Sequence, residues 1–182
     1  SRFFSKATIV KYPRSPDKFV AKIKTIATAH CTMIEKYGVS YFGWTFAKDL
    51  KNKLKPARYE HTLGVSDTAQ HLAKIHGYDC AKAALAGLLH DCAKYMADDK
   101  KIALCREYGV SISDAEYKNP SLLHAKCGAI LAEHEYQIID FDILHAIRVH
   151  TTGVPDMNLL DKIIFIADYI EPNRDKAPHL KE

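Results

Sequence analysis

From residue 56 onward, apolar positions recur at helical spacing, and no alternating apolar and polar run of any length competes with them. Pro56 near a first turn and Gly77 as a stop bracket a helix over residues 56–76. A second helix is predicted over residues 80–95, where the Ala-Ala-Leu-Ala-Gly-Leu-Leu run asks to be buried on every side. Asp98 and Asp99 open a short third helix that ends at Gly109, and residues 110–119 read as a connecting loop. Pro120 opens a fourth helix to about residue 136, and a fifth spans residues 141–150. After the turn Thr151-Thr152-Gly153-Val154-Pro155, a sixth helix covers residues 159–170 and halts before Pro172. The expected fold class is all-α.

The first 46 residues read differently. Lys11-Tyr12-Pro13-Arg14-Ser15-Pro16 is basic and broken by proline, and residues 19–37 carry an amphipathic helical pattern closed by Gly38. Residues 39–46 are rich in aromatics and hold the only tryptophan, Trp44. We expect residues 1–46 to be a helical extension and residues 47–182 to be the functional domain.

Polar groups interrupt the apolar helices at particular places. His90-Asp91 breaks the run that begins at Leu85, and Asp168 follows Ile163-Ile164-Phe165-Ile166-Ala167. A carboxylate set into such a run is costly unless it is paired or bound to metal. His61, His124 and His150 also sit inside otherwise apolar segments. Adjacent residues on an ideal helix diverge by about 100°, so His90 and Asp91 can serve one centre only near a helix end. Imidazole and carboxylate donors without thiolate suit Fe, Mn, Co or Zn. Six such donors are enough for two metal ions sharing a carboxylate, with Asp91 as the natural bridge; a pair of that kind activates hydroxide and clamps a phosphoryl group. Arg58 stands three residues before His61 and Lys94 three after Asp91, on the same helix faces, while Arg148 and Arg174 flank His150 and Asp168. Such cations suit the oxygens of a phosphate chain. His30, His71, His76, His134, His145 and His179 lack comparable surroundings and read as surface or packing residues.

Composition narrows the function classes. The net charge of +4 suits an anionic small substrate and is too weak to argue for nucleic acid. No run of 18 apolar residues marks a membrane span, and the opening residues lack a signal-peptide pattern. Five cysteines, odd in number and without CxxC spacing, point to a reducing cytoplasm rather than a disulfide framework. Cys92, beside the His-Asp pair, reads as a small buried thiol.

His61, His90-Asp91 and Asp168 together resemble the H…HD…D signature of HD-domain metal-dependent phosphohydrolases. The likeness narrows through Arg58-Tyr59-Glu60-His61, Leu123-His124-Ala125, Arg148-Val149-His150-Thr151-Thr152-Gly153 and Ala167-Asp168-Tyr169-Ile170-Glu171-Pro172-Asn173-Arg174. Over residues 48–176 the chain is similar to the YqeK family of bacterial symmetrical diadenosine tetraphosphate hydrolases. The resemblance implies an HD-domain helical bundle with a dinuclear centre between helices, iron being the expected metal. It implies that His61, His90, Asp91 and Asp168 hold one metal, and that His124 and His150 hold the second with Asp91 bridging. It implies hydrolysis of diadenosine tetraphosphate to two ADP, with Asp91, Lys94 and Arg58 catalytic. Thr151, Thr152, Asn173 and Arg174 then fall where nucleotide contacts belong, with Arg148 beside them. Two alternatives stay open: an HD-type enzyme for another nucleotide, such as a guanosine polyphosphate, a nucleoside monophosphate or a cyclic dinucleotide, and a metal-dependent nucleotide sensor without turnover. Apolar residues in the arm leave a homodimer open.

Overall fold

The computed structural model of this chain describes residues 41–173. The helix expected over residues 19–37, together with His30, His179 and Arg174, lies outside them. The chain divides into two units, Ser1–Tyr41 and Phe42–Glu182, and the described helices build the second. They are α1 (Tyr41–Lys53), α2 (Pro56–His76), α3 (Cys80–Leu89), α4 (Asp98–Glu107), α5 (Asp114–Lys118), a 3₁₀ helix (Pro120–Leu123), α6 (His124–His134), α7 (Phe141–Val149) and α8 (Leu159–Ile170). No strand occurs among the described residues. The all-α expectation holds.

The centre of the fold is α3, which packs against α2, α7 and α8. Its sequence dictates that place: Ala83, Ala84, Ala86, Gly87, Leu88 and Leu89 are all buried, and each fully buried leucine contributes roughly 1.5–3 kcal/mol. Asp79 starts the helix by accepting from the Ala81 and Lys82 backbone N–H groups at 2.8 and 3.0 Å. Small residues let α2 and α3 approach closely, and the Ser66 hydroxyl donates to the Ala84 carbonyl at 2.8 Å. A Cβ on Gly87 would stand 2.9 Å from the Ser66 Cα and 3.1 Å from the Val65 carbonyl oxygen. The two backbones touch there.

Three expectations need correction. The helix predicted to run to residue 95 ends at Leu89, and residues 90–95 continue as tight turns. Their backbone bonds span three residues, Cys92 N–H to the Leu89 carbonyl at 3.1 Å and Lys94 N–H to the Asp91 carbonyl at 2.9 Å. The tighter winding takes His90 and Asp91 out of the divergent spacing of a continuing helix. The loop expected over residues 110–119 contains α5. Ser113 and Glu116 start it with a reciprocal cap, the Ser113 N–H reaching Glu116 Oε2 at 2.8 Å. In addition, the helix expected from Pro120 is divided, a 3₁₀ turn preceding α6.

The entry to α7 gives a test of the fold alone. Asp140 accepts from the Asp142 and Ile143 N–H groups and pairs with Lys82 at 2.7 Å, which holds its carboxyl below the usual range. Asp140→Ala is expected to cost about 1 kcal/mol at neutral pH. A lowered carboxyl stabilises above its unfolded pKa and loses that contribution as pH falls through the folded one. The gap between the two proteins therefore closes below about pH 4. Urea unfolding at pH 7 and pH 3 measures both halves.

Candidate metal centre

Three of the site's histidines stand at helix ends. His90 follows α3, His124 is the first residue of α6 and His150 follows α7. At each of these ends the imidazole meets the backbone carbonyl three residues back, the Ser121 oxygen also accepting the His124 backbone N–H. His90 Nδ1 lies 2.6 Å from the Gly87 oxygen, His124 Nδ1 2.6 Å from the Ser121 oxygen, and His150 Nδ1 2.7 Å from the Ile147 oxygen. A carbonyl cannot donate, so the proton sits on Nδ1 and the Nε2 lone pair is left for the cluster. His61, inside α2, has a side-chain partner instead: its Nδ1 lies 2.9 Å from Glu171 Oε1. Asp168 comes from α8, with its Oδ1 3.0 Å from His61 Nε2 and 3.8 Å from His90 Nε2.

Asp91 lies between the two sides. Its Oδ1 is 3.2 Å from His124 Nε2 and 3.7 Å from His150 Nε2, and its Oδ2 is 3.6 Å from His90 Nε2 and 2.8 Å from Arg58 Nη1. The carboxylate is 2 % exposed. Burial alone would raise its pKa, but the surrounding histidines, His90 first and then His124 and His150, together with the charge of Lys94, hold it well below the usual range. Complete burial pushes the His90 imidazole down to about 4, so it stays neutral and able to ligate. Burial also lowers the Lys94 ammonium, against the pull of Asp91. Burial opposes protonation of His61, but the carboxylates of Asp168 and Glu171 beside it outweigh this and raise its pKa.

Three buried atoms face into this cluster and make no well-aligned hydrogen bond, only close approaches to neighbouring side chains: His61 Nε2, His90 Nε2 and Asp91 Oδ1. Buried polar atoms are rarely left so, and these are the atoms a cation would take. The potential ligand atoms form two overlapping sets, His61 with His90 and Asp168, and His90 with Asp91 and His150, each within 4.8 Å of one another. Nitrogen and carboxylate donors of this kind fit a divalent metal. The second set shares its edge with His124, through Asp91 Oδ1.

A cavity of about 350 Å³ opens on the cluster, lined by Arg58, Asp91, Lys94, His124, His150, Thr151, Phe165, Asp168 and Tyr169. Lys94 Nζ reaches His124 Nε2 at 3.1 Å, and the Thr151 hydroxyl lies 3.2 Å from both His124 Nε2 and His150 Nε2. Thr152 is exposed beside it and Asn173 is exposed past α8. Arg148 is not brought into this cavity. It lines a separate groove of about 500 Å³ between α6 and α7, with Phe141, His145, His134 and Tyr108. Of the histidines set aside on sequence, His145 pairs with the buried Asp161 at 2.9 Å and His134 packs on the Tyr108 ring.

Three residues escaped the sequence reading. Phe165 and Tyr169 flank Asp168 and are 39 % and 48 % exposed, although they belong to an apolar run. Their spacing of four residues, off the core face of α8, was the available signal. Glu171, the buried anchor of His61 at 1 % exposure, stands in the 167–174 segment that carries the resemblance, where the sequence reading gives it no role.

Known proteins share this arrangement of sequence and fold. The model of the HD domain family matches residues 58–173. A symmetrical bis(5'-nucleosyl)-tetraphosphatase of Halalkalibacterium halodurans is 50% identical over 125 residues, 69% of this chain and 66% of that protein. The protein of the same name from Bacillus subtilis is 45% identical over 127 residues, covering 69% and 67%. A probable nicotinate-nucleotide adenylyltransferase/Ap4A hydrolase of Mycoplasma genitalium is 30% identical over 125 residues, 69% of this chain but 35% of its own length. Among solved structures, a predicted HD superfamily hydrolase involved in NAD metabolism from Clostridium acetobutylicum superposes with a TM-score of 0.70 at 49% identity, covering 72% of this chain and 69% of that one. The chain thus spans about two thirds of the length of the tetraphosphatases it matches.

Proposed function

This chain belongs to the HD-domain family, and from that membership we propose that it hydrolyses diadenosine tetraphosphate symmetrically, water adding across the central phosphoanhydride to give two ADP. His61, His90 and Asp168 would hold one divalent ion and Asp91, His124 and His150 the other, with Asp91 shared. Iron is the metal we propose, with Mn, Co or Zn compatible with the same donors. Such ions supply Lewis acidity and a water acidic enough to attack phosphorus at neutral pH.

The chain's own groups have separate tasks. Arg58, pinned to Asp91 Oδ2, and Lys94, held against Asp91 and His124, set two cations at the rim of the ligand cluster. There they bind the phosphate oxygens and offset the charge gathered on the departing ADP. The Thr151 hydroxyl adds a neutral donor. Phe165 and Tyr169 offer exposed rings to a base at the mouth, with Thr152 and Asn173 as further nucleotide contacts; Arg174 joins them on the sequence motif alone. The observation that most supports this reading is the convergence of six donors from five helices in one cluster, four of them (Asp91, His124, His150 and Asp168) lining a cavity together with two cations.

A cytoplasmic setting is part of the proposal, as is a small-nucleotide substrate rather than nucleic acid or membrane. Among the described residues no helix is long and apolar enough to cross a bilayer. A homodimer remains part of the reading through the apolar positions of the arm.

Product analysis tests the activity. With manganese- or iron-loaded protein, ADP is expected as the sole product from diadenosine tetraphosphate. ATP with AMP would overturn symmetrical attack, and hydrolysis confined to guanosine polyphosphates, nucleoside monophosphates or cyclic dinucleotides would move the protein to another HD-type reaction. Tight nucleotide binding without turnover would make it a sensor.

A further inference from the structure

His90, His124 and His150 are oriented by backbone carbonyls because they stand at helix ends. His61 has no such recourse. It lies within α2, five residues past its first position, where the carbonyls one turn back are engaged along the helix; the Arg58 carbonyl additionally accepts from the Thr62 hydroxyl at 2.9 Å. Without an acceptor at Nδ1, nothing would keep the proton there, and the Asp168 carboxylate 3.0 Å from Nε2 would favour the opposite tautomer.

That acceptor comes from the segment after α8. Glu171 is 1 % exposed, its Oε1 faces His61 Nδ1 at 2.9 Å, and its Oε2 accepts from the Asn173 N–H at 2.8 Å. The Glu171 N–H closes the end of α8 on the Ala167 carbonyl at 3.1 Å. One short segment is therefore tied to α8, which carries Asp168, and to His61 on α2. The chain also makes room for it. Gly64, one turn beyond His61, lies under the carboxylate, and a Cβ there would collide with Glu171 Oε2 and stand 3.2 Å from Asn173 Nδ2. A glycine inside a long helix costs about 1 kcal/mol in propensity relative to alanine, and this packing gives it a reason.

We propose that Glu171 is a positioning residue for the metal centre: seated on Gly64, it holds His61 as the Nδ1–H tautomer and aims Nε2 at the ion shared with His90 and Asp168. The inference rests on the metal-site reading above. A hydrogen-bonded carboxylate behind a ligating histidine fixes its orientation and raises its basicity, and loss of such a partner lowers metal affinity roughly 10–100-fold.

The test uses the full chain and a chelator competition with Mn²⁺ or Zn²⁺, so that it reads binding and not turnover. Glu171→Ala is expected to weaken metal binding within that range. Glu171→Gln, which keeps an acceptor oxygen, is expected to recover part of the loss. Gly64→Ala, which favours the helix, is expected to lose affinity in the same direction while still folding. In the Gly64→Ala/Glu171→Ala double variant the new methyl meets no carboxylate, so no loss beyond that of Glu171→Ala is expected. ¹⁵N NMR of His61 in the Zn²⁺-loaded protein should show Nδ1–H in the wild type and a changed signature in Glu171→Ala. Affinities of Glu171→Ala and Gly64→Ala both within about threefold of wild type, below the range typical of such partners, would overturn the proposal while leaving the metal site standing. A wild-type protein that takes up no metal would overturn both.

Discussion

Asp91→Asn is expected to abolish turnover and to strip the protein of at least one metal ion, with the fold retained. The side chain stands at the junction of both donor sets and within 3.7 Å of His90, His124, His150, Arg58 and Lys94. Asparagine keeps its volume but replaces one oxygen by an amide that cannot accept, so either Arg58 or the histidine side meets a donor where it had an acceptor. The loss should exceed the roughly 10²–10³-fold that follows removal of a single electrostatic contact, because one oxygen pair serves several groups at once. Metal content by elemental analysis and ADP release measure the two effects. Far-UV circular dichroism checks the fold. An Asp91→Asn protein that keeps full metal content and turnover would remove Asp91 from the centre of the site.

The largest effect on stability belongs to a residue with no chemistry of its own. A methyl on Gly87 would meet backbone atoms of α2, the Ser66 Cα at 2.9 Å, the Ser66 N at 3.1 Å and the Val65 oxygen at 3.1 Å. Backbone cannot rotate aside as a side chain does, so Gly87→Ala must part α2 from α3. Overpacking of this kind costs about 1–3 kcal/mol, and here the upper end is expected because two helix backbones must separate. At roughly 2–4 °C per kcal/mol for a chain of this size, the thermal midpoint should fall by about 6–12 °C. The metal site should suffer as well, since the Gly87 carbonyl anchors His90. Gly109→Ala is the contrast: its φ of 65° disfavours a side chain, but nothing lies within 4 Å of the added methyl. Scanning calorimetry of the two variants separates collision from conformational cost; equal midpoints would sink the close-approach argument.

Much of this was legible in the chain. The limits of α2 and α8 follow from Pro56, Gly77 and Pro172, and each of the six candidate donors stands out as a polar residue inside an apolar run. Where the reading failed, the signal was local and overridden. Residues 90–95 keep helical composition, but the turn there answers to the Gly87 carbonyl and to Asp91's several partners, which are tertiary facts. The cap of α5 was readable, since Ser113 and Glu116 stand at the capping-box spacing. The pairing of Glu171 with His61 spans 110 residues, and no local pattern encodes it. Arg148 shares a motif with His150 but points to another face, because two residues on a helix turn a side chain through about 200°.

The carbonyl anchors of His90, His124 and His150 also bear on how this protein tolerates sequence drift. A main-chain oxygen is present whatever residue stands at position 87, 121 or 147, so substitution there cannot delete the acceptor, only displace it. Three of the four imidazole orientations are in that sense robust to mutation, held by the path of the backbone. Fragility concentrates on the fourth, where a carboxylate and the glycine beneath it must both persist. In lineages that diverge while keeping the reaction, positions 64 and 171 should change together or not at all.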